Sequence, residues 1–359
     1  MIARDDVRLA RLSEALAYFA ADVERIELPA WDCLPYDRTS PHPDIVSRRV
    51  DALSSLAAAP RPSRPRVVLT TVAAVLQRMP PRETWEQAKR AVQVGEPLDR
   101  GELIAFLQAS GFVRVETVSE AGECAVRGGI IDLFPAGMPQ PVRIDLFGDE
   151  VESLRTFDPT SQRTTDRIDR LDLRPVSEVP LDDEGIRRFR AGYRLLAAAA
   201  ATDDPLYAAI SAGHRHPGME HWLPLFHERL ETLFDYLPKT PVVVDHQLDE
   251  ALTRRLEAIE DYYQARRTID AGRFTAGAAA YHPVPTDQMF LDRCALDAAL
   301  ASRPVLMLSP FAVPASEGQV WDAGGRSGLD FQKRGNVLIS MFSTLLLRRY
   351  ASTRVHAAG

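Results

Sequence analysis

The fold is decided by two neighbouring stretches of the sequence, Arg127-Gly-Gly-Ile-Ile-Asp-Leu-Phe-Pro135 and Arg143-Ile-Asp-Leu-Phe-Gly-Asp-Glu150. Apolar and polar residues alternate along the second stretch, with Val142, Ile144 and Leu146 in one phase and Arg143, Asp145 and Phe147 in the other. Because neighbouring side chains on a strand point to opposite faces, we expect the first set to face a core and the second to face outward. An outward aromatic residue between charges is typical of a protein interface. An Arg–Asp surface pair beside an incidental phenylalanine explains the pattern equally well.

The sequence around these stretches is rich in predicted strands. Asp99 is placed to cap a helix over residues 100–110, which we expect to end at Gly111. Strands are predicted over residues 113–118, 123–127, 130–134, 142–147 and 151–157. We therefore predict a small α+β domain over residues 88–175.

Strands alternate with helices on both sides of this predicted domain. Before it, we predict helices that begin at Asp5 and Pro43 and over residues 72–79, with strands at 25–28 and 67–70. After it, we predict helices over 184–200, 206–211 and 248–269, with a buried strand over 242–244. This alternation indicates a parallel sheet. We expect one discontinuous α/β domain, residues 1–87 and 176–303, that carries the α+β domain as an insertion, and a further unit that begins within residues 304–359.

The composition excludes several classes of protein. The chain is 45% hydrophobic and 26% charged, which is typical of globular proteins, and its net charge of −7 argues against a broadly basic nucleic-acid-binding surface. The three cysteines form no CxxC pair, which argues against a zinc or disulfide scaffold and fits a reducing compartment. The late apolar run over residues 337–347 is too short for a membrane span. We expect a cytoplasmic protein with no membrane partner.

The sequence does not indicate an active site. None of the three lysines follows a glycine, so the chain has no P-loop, although Val242-Val-Val-Asp245 resembles the strand that carries a magnesium-binding aspartate in NTPases. The apolar strand with a terminal aspartate is a common structural feature, and we give it no catalytic role. Four histidines cluster without the spacing of a helical zinc site: His214, His216, His221 and His227. We therefore predict no catalytic residue, no cofactor and no metal.

Several segments resemble one family of DNA-repair proteins. In chain order they are Leu28-Pro-Ala-Trp-Asp-Cys-Leu-Pro-Tyr-Asp37, Ser40-Pro-His-Pro-Asp-Ile45, the stretch from Gly122 to Pro135, Arg143 to Glu150, Leu154 to Asp158 with Ser161-Gln-Arg163, and Gly218 to Phe226. Together they resemble the N-terminal module of the transcription-repair coupling factors (Mfd), a module that is shared with the excision-repair protein UvrB.

The resemblance implies a degenerate helicase-like domain that has lost nucleotide binding and carries an inserted domain that docks UvrA. It implies that Arg127, Arg143 and Phe147 form the UvrA-binding face, with Asp145 and Glu150 at its rim. The outward phase of Arg143 and Phe147 agrees with this assignment. The function implied is recruitment of UvrA in transcription-coupled nucleotide-excision repair, while RNA polymerase and DNA are contacted only through domains absent from this chain.

The resemblance also gives an expectation for the two ends of the chain. Family members begin further upstream and continue into an ATP-dependent translocase, whereas residues after about Asn336 have no family counterpart. We therefore expect a module that is truncated at both ends. Two alternatives stay open, namely part of a translocase that is active only at full length, and a gene fragment without function.

Overall fold

The computed structural model describes residues 1–58, 64–87, 89–197, 204–270, 281–311, 313–314 and 320. The chain divides into two units, Met1–Pro310 and Phe311–Gly359. The described residues belong almost entirely to the first unit, and the expected divergent tail after Asn336 lies outside them.

The strands and helices follow the chain in this order. The strands are β1 (Ile2–Ala3), β2 (Glu24–Leu28), β3 (Arg66–Thr71), β4 (Arg90–Gln93), β5 (Val113–Arg114), β6 (Glu123–Arg127), β7 (Ile130–Leu133), β8 (Val142–Phe147), β9 (Glu150–Phe157), β10 (Thr164–Ile168), β11 (Arg170–Leu173), β12 (Val242–Val244) and β13 (Val305–Met307). The helices are α1 (Asp6–Phe19), α2 (Pro43–Ala57), α3 (Val72–Leu76), α4 (Arg82–Gln87), α5 (Arg100–Ala109), α6 (Asp183–Ala197), α7 (Pro205–Ser211), α8 (Leu233–Tyr236), α9 (Leu248–Asp270), α10 (Thr286–Met289) and α11 (Arg293–Ala301).

A five-stranded parallel sheet forms the larger part of the fold. Its strand order is β13-β12-β1-β3-β2, and every pairing in it is parallel. The two strands that pair with β1 flank the strand-rich region in the sequence, since β3 precedes it and β12 follows it. Ile2 lies opposite Thr70 of β3 on one side and opposite Val244 of β12 on the other. The prediction of an α/β fold with a parallel sheet is thus confirmed. Val305–Met307 pairs with β12, so residues expected to begin a further unit supply the edge strand of this sheet.

The strand-rich region forms its own sheet of six strands in the order β10-β9-β8-β7-β6-β5. The pairings are antiparallel except between β5 and β6, and β4 pairs with β11 in a separate two-stranded sheet. One face packs on α5 around a core that includes Leu103, Leu107, Ile131, Ile144 and Leu154. The opposite face is the one that presents Arg143, Asp145 and Phe147.

Local sequence explains where the principal helices begin and end. The Asp5 and Asp99 carboxylates accept hydrogen bonds from the Arg8 and Glu102 amides at the starts of α1 and α5, as the sequence predicts. Gly111 follows α5 with φ +92°, and a Cβ there would lie 2.6 Å from the Cβ of Ser177. Only glycine fits this left-handed position and this close approach.

A buried ion pair joins the two parts of the fold. Arg49 on α2 donates to both carboxylate oxygens of Glu178, at 2.6 and 3.0 Å, and to the carbonyl oxygen of Pro29 at 2.7 Å. The indole of Trp31 donates to the same carboxylate at 3.0 Å. Both charged side chains are fully buried. Glu178 lies just after β11, so this ion pair holds the chain that leaves the strand-rich region against the parallel-sheet part.

The buried His221 is expected to make the stability of the fold sensitive to acid. Burial lowers the pKa of His221 from 6.5 to about 4. The unfolded chain therefore takes up a proton between pH 6.5 and pH 4 that the folded chain does not. Because folding excludes this proton, the free energy of unfolding is expected to fall across that window, by about 3 kcal/mol at its acid end.

Urea denaturation at pH 7 and pH 5 measures this effect. The matched variant is His221→Gln, which has no titratable side chain, so the pH dependence that it lacks belongs to His221. Equal loss of stability between pH 7 and pH 5 in the two proteins would show that His221 does not carry the effect.

Candidate partner-binding face

The predicted alternation along β8 is present in the structure. Val142 and Ile144 have no exposed surface, whereas the side chain of Phe147 is 79% exposed. Arg143 and Asp145 lie half-buried on the same face as Phe147. A large aromatic side chain that remains exposed beside charged groups is the composition from which interface hot spots are built.

Two hairpin turns bring Arg127 and Glu150, at the ends of their strands, to the same end of the sheet as Phe147. Gly128 turns β6 into β7 with φ +60°, and Gly148 turns β8 into β9 with φ +62°. The turns touch, because the amide of Leu146 donates to the carbonyl oxygen of Gly129 at 2.9 Å. A Cβ on Gly129 would lie 2.9 Å from the carbonyl oxygen of Leu146, so a side chain there would push the turns apart.

Ile130 is a residue of this face that the sequence analysis did not identify. It lies opposite Asp145 in the β7–β8 pairing, which puts it diagonally beside Phe147, and it is 39% exposed. Its neighbour Ile131 is completely buried. The alternation along β7 was the signal that could have assigned Ile130 to the outer face.

Asp132 holds the two predicted arginines in place. Its carboxylate is 1% exposed and accepts from Arg143 Nε and Nη2 at 2.7 and 2.9 Å, and from Arg127 Nη2 at 3.0 Å. Hydrogen bonding to Asp132 raises the pKa of Arg143 above its ordinary value. The Arg143 guanidinium also lies 4.9 Å from the ring centroid of Phe157. One carboxylate thus fixes two guanidinium groups and leaves the pair with a net positive charge.

The two rim residues differ in their surroundings. Asp145 accepts a hydrogen bond from Ser153 Oγ at 2.6 Å and lies 3.7 Å from Arg155 Nε. Glu150 is exposed and lies opposite Phe147 across the β8–β9 hairpin. The Asp145 carboxylate is therefore engaged by neighbouring side chains of the sheet, whereas the exposed Glu150 lies opposite the exposed Phe147.

The aspartate after β12 is paired with an arginine of this chain and lies beside a histidine. Both carboxylate oxygens of Asp245 accept from Arg8 Nε, at 3.2 and 3.1 Å, and His246 Nδ1 lies 3.2 Å away. Burial acts to raise the pKa of Asp245, but hydrogen bonds and charge from Arg8 and His246 outweigh it and lower the pKa below its ordinary value. Arg8 neutralises the carboxylate that would have to coordinate a cation.

The clustered histidines do not converge on one point. His221 packs edge-on against Trp31 and His227 Nε2 lies 2.9 Å from the carbonyl oxygen of Glu178, whereas His214 is exposed. Within the described ranges, no group of three or more His, Cys, Asp or Glu residues is arranged to hold a metal ion. Nor does any helix in those ranges have the length and apolar character needed to cross a membrane.

Comparison with known proteins identifies the strand-rich region. Residues 91–178 match the family model of the UvrB interaction domain. The chain is 37% identical over 271 residues to a transcription-repair-coupling factor of Haemophilus influenzae, a match that covers 75% of this chain and 23% of the relative. The same protein of Escherichia coli is 35% identical over 260 residues, which cover 72% of this chain and 22% of the relative. The matches thus span less than a quarter of these relatives' length. All five predicted face residues lie within residues 91–178.

Proposed function

We propose that this chain, which contains a UvrB interaction domain and resembles part of the transcription-repair coupling factors, is a non-catalytic docking module that binds UvrA in transcription-coupled nucleotide-excision repair. The observation that carries the proposal is Phe147, which stays 79% exposed on the sheet face of that domain that also carries two arginines bound by Asp132. Exposure of so large an aromatic side chain is explained when a partner covers it.

The chemistry of the face suits a protein partner that presents carboxylates. The guanidinium groups of Arg127 and Arg143 are already oriented by Asp132, so less side-chain entropy is lost when they bind. Arginine recognises a carboxylate through paired hydrogen bonds. Phe147 and Ile130 supply the apolar contact, and we place Asp145 and Glu150 at the rim.

We propose the predicted domain scheme with this function. Residues 1–87 and 176–303 serve as a degenerate helicase-like domain, and residues 88–175 are the inserted UvrA-docking domain. The absence of a P-loop from the sequence and the pairing of Asp245 with Arg8 favour a module that does not hydrolyse ATP. RNA polymerase and DNA are partners of the longer family proteins through domains outside this chain, and its place of action is the cytoplasm.

The alternative is a piece of an ATP-dependent translocase that contributes to nucleotide hydrolysis. It rests on Asp245, which ends a buried strand of the parallel sheet as a magnesium-binding aspartate would. The Arg8 ion pair argues against this role, because a cation would have to displace the guanidinium group.

Binding without nucleotide tests the proposal. The folded chain is expected to co-elute with UvrA in size-exclusion chromatography when no ATP is added, because the face needs no nucleotide to form. The chain alone is expected to release no phosphate from ATP. Separate elution of the two folded proteins would contradict the docking function. ATP turnover by the chain that Asp245→Asn abolishes would establish the alternative.

A further inference from the structure

Three arginines lie side by side across the outer face of the six-stranded sheet. Arg143 on β8 is directly opposite Arg155 on β9, and Arg155 is directly opposite Arg167 on β10. We call these three residues the arginine row. They share the face that carries Phe147, because paired residues on neighbouring strands point to the same side of a sheet.

Such a row opposes the stability of the isolated sheet. Like charges directly opposite each other on neighbouring strands are destabilising. Asp132 compensates Arg143, but Asp145 reaches Arg155 only at 3.7 Å, and Arg155 Nε has no hydrogen-bond partner among the described residues. Within the residues that the structure describes, the exposed side chain of Arg167 makes neither a hydrogen bond nor an ion pair. Positive charge is therefore least compensated at the β10 end of the row.

We propose that the arginine row extends the docking face across β9 and β10 and receives an acidic segment of the partner that covers Phe147. This inference rests on the proposed docking function. Neighbouring strands lie about 4.8 Å apart, so the row spans roughly 10 Å. That is the length of about three residues of extended chain, each of which adds roughly 3.3 Å. A short run of aspartates or glutamates therefore reaches all three guanidinium groups.

The surroundings of the row favour a protein segment over nucleic acid. The carboxylates of Asp132 and Asp145 lie among the arginines and would repel a phosphate backbone. The exposed apolar residues Ile130 and Phe147 lie on the same face as the row, on the far side of Asp145, which suits a mixed protein surface. The chain as a whole carries a net charge of −7, which disfavours binding to a polyanion.

The double variant Arg155→Ala/Arg167→Ala tests the row in the full chain. It is expected to bind UvrA about tenfold more weakly at low salt, since exposed ion pairs each contribute up to a few-fold in affinity. Its affinity is also expected to depend less steeply on salt. The melting temperature is expected not to fall, because the substitutions remove repulsion between like charges.

Arg170→Ala is the matched control. Arg170 is an exposed arginine of the same domain, but it lies on β11 in the two-stranded sheet, where it pairs with Asp172. This variant removes the same type of charge and is expected to bind UvrA as the wild type does. Affinity measurements at three salt concentrations, for the wild type and each variant, separate a local effect from one of net charge.

The outcomes distinguish the row from the docking function itself. If the double variant binds UvrA with wild-type affinity while Phe147→Ala loses binding, the proposed role of the arginine row is wrong and the docking function is still supported. An equal loss in Arg170→Ala, or a matching fall in melting temperature, also overturns the row. The proposal for the row is also overturned if the wild type binds a fluorescent DNA duplex and the double variant loses that binding but still binds UvrA. Absence of binding by the folded wild type overturns both proposals.

Discussion

Arg49→Ala is expected to lower the free energy of unfolding by about 3 to 5 kcal/mol, because it leaves the Glu178 carboxylate buried without a compensating charge. Arg49 supplies two of the hydrogen bonds to that carboxylate, and Trp31 alone cannot replace its charge. The carbonyl oxygen of Pro29 also loses its Arg49 donor. Urea denaturation at neutral pH, followed by tryptophan fluorescence, measures the change.

The neighbouring Arg48 provides the matched control. It lies on the same helix and forms an ion pair with Glu27 at 2.8 Å, but half of its side chain is exposed. Arg48→Ala is expected to cost no more than about 1 kcal/mol, because solvent screens exposed ion pairs. The double variant Arg49→Met/Glu178→Gln is expected to recover much of the stability that Arg49→Ala loses, since no charge stays buried. Equal effects of Arg48→Ala and Arg49→Ala would contradict this account of the ion pair.

Phe147→Ala is expected to weaken UvrA binding by about 2 kcal/mol or more, which corresponds to roughly 30-fold in the dissociation constant. The free chain loses little stability, because the ring is 79% exposed before binding. The loss therefore comes from the interface, where the ring would exclude water around the arginine contacts. Surface plasmon resonance with immobilised UvrA gives the dissociation constants of both proteins.

Phe19→Ala is the control for this substitution. Phe19 ends α1 and is 69% exposed, so its removal deletes a similar apolar surface outside the UvrB interaction domain. It is expected to leave UvrA affinity unchanged. An equal loss of affinity in Phe19→Ala and Phe147→Ala would place the contact elsewhere or show a general effect on folding.

Local sequence patterns predicted much of the fold because they act over a few residues. The alternation over residues 142–147 gave both β8 and its outward face, and Asp99 with Gly111 gave both ends of α5. β10 escaped prediction because Thr164–Ile168 is mostly exposed and polar, without an apolar alternation. The position of Val305–Met307 could not be predicted, because it depends on pairing with a strand about sixty residues earlier.

The face residues were predicted as a set, but not the interactions among them. The alternation along β8 is compatible with an Arg–Asp surface pair, but the carboxylate that binds Arg143 comes from Asp132 on β7. That contact follows from the β7–β8 register, which no local pattern fixes. The arginine row depends in addition on the β9–β10 register and its irregularity between Thr164 and Arg167. The roles of Arg127, Arg143, Phe147, Asp145 and Glu150 in binding remain predictions.

Isothermal titration of the folded chain and of its Phe147→Ala variant into UvrA tests whether Phe147 anchors a docking face for UvrA. The wild type is expected to bind saturably in the absence of nucleotide, and the variant is expected to bind more weakly by an order of magnitude or more. Circular dichroism of both proteins before titration establishes that they are folded. No heat of binding from the folded wild type across several temperatures, or equal affinities of the two proteins, would contradict a docking face anchored by Phe147.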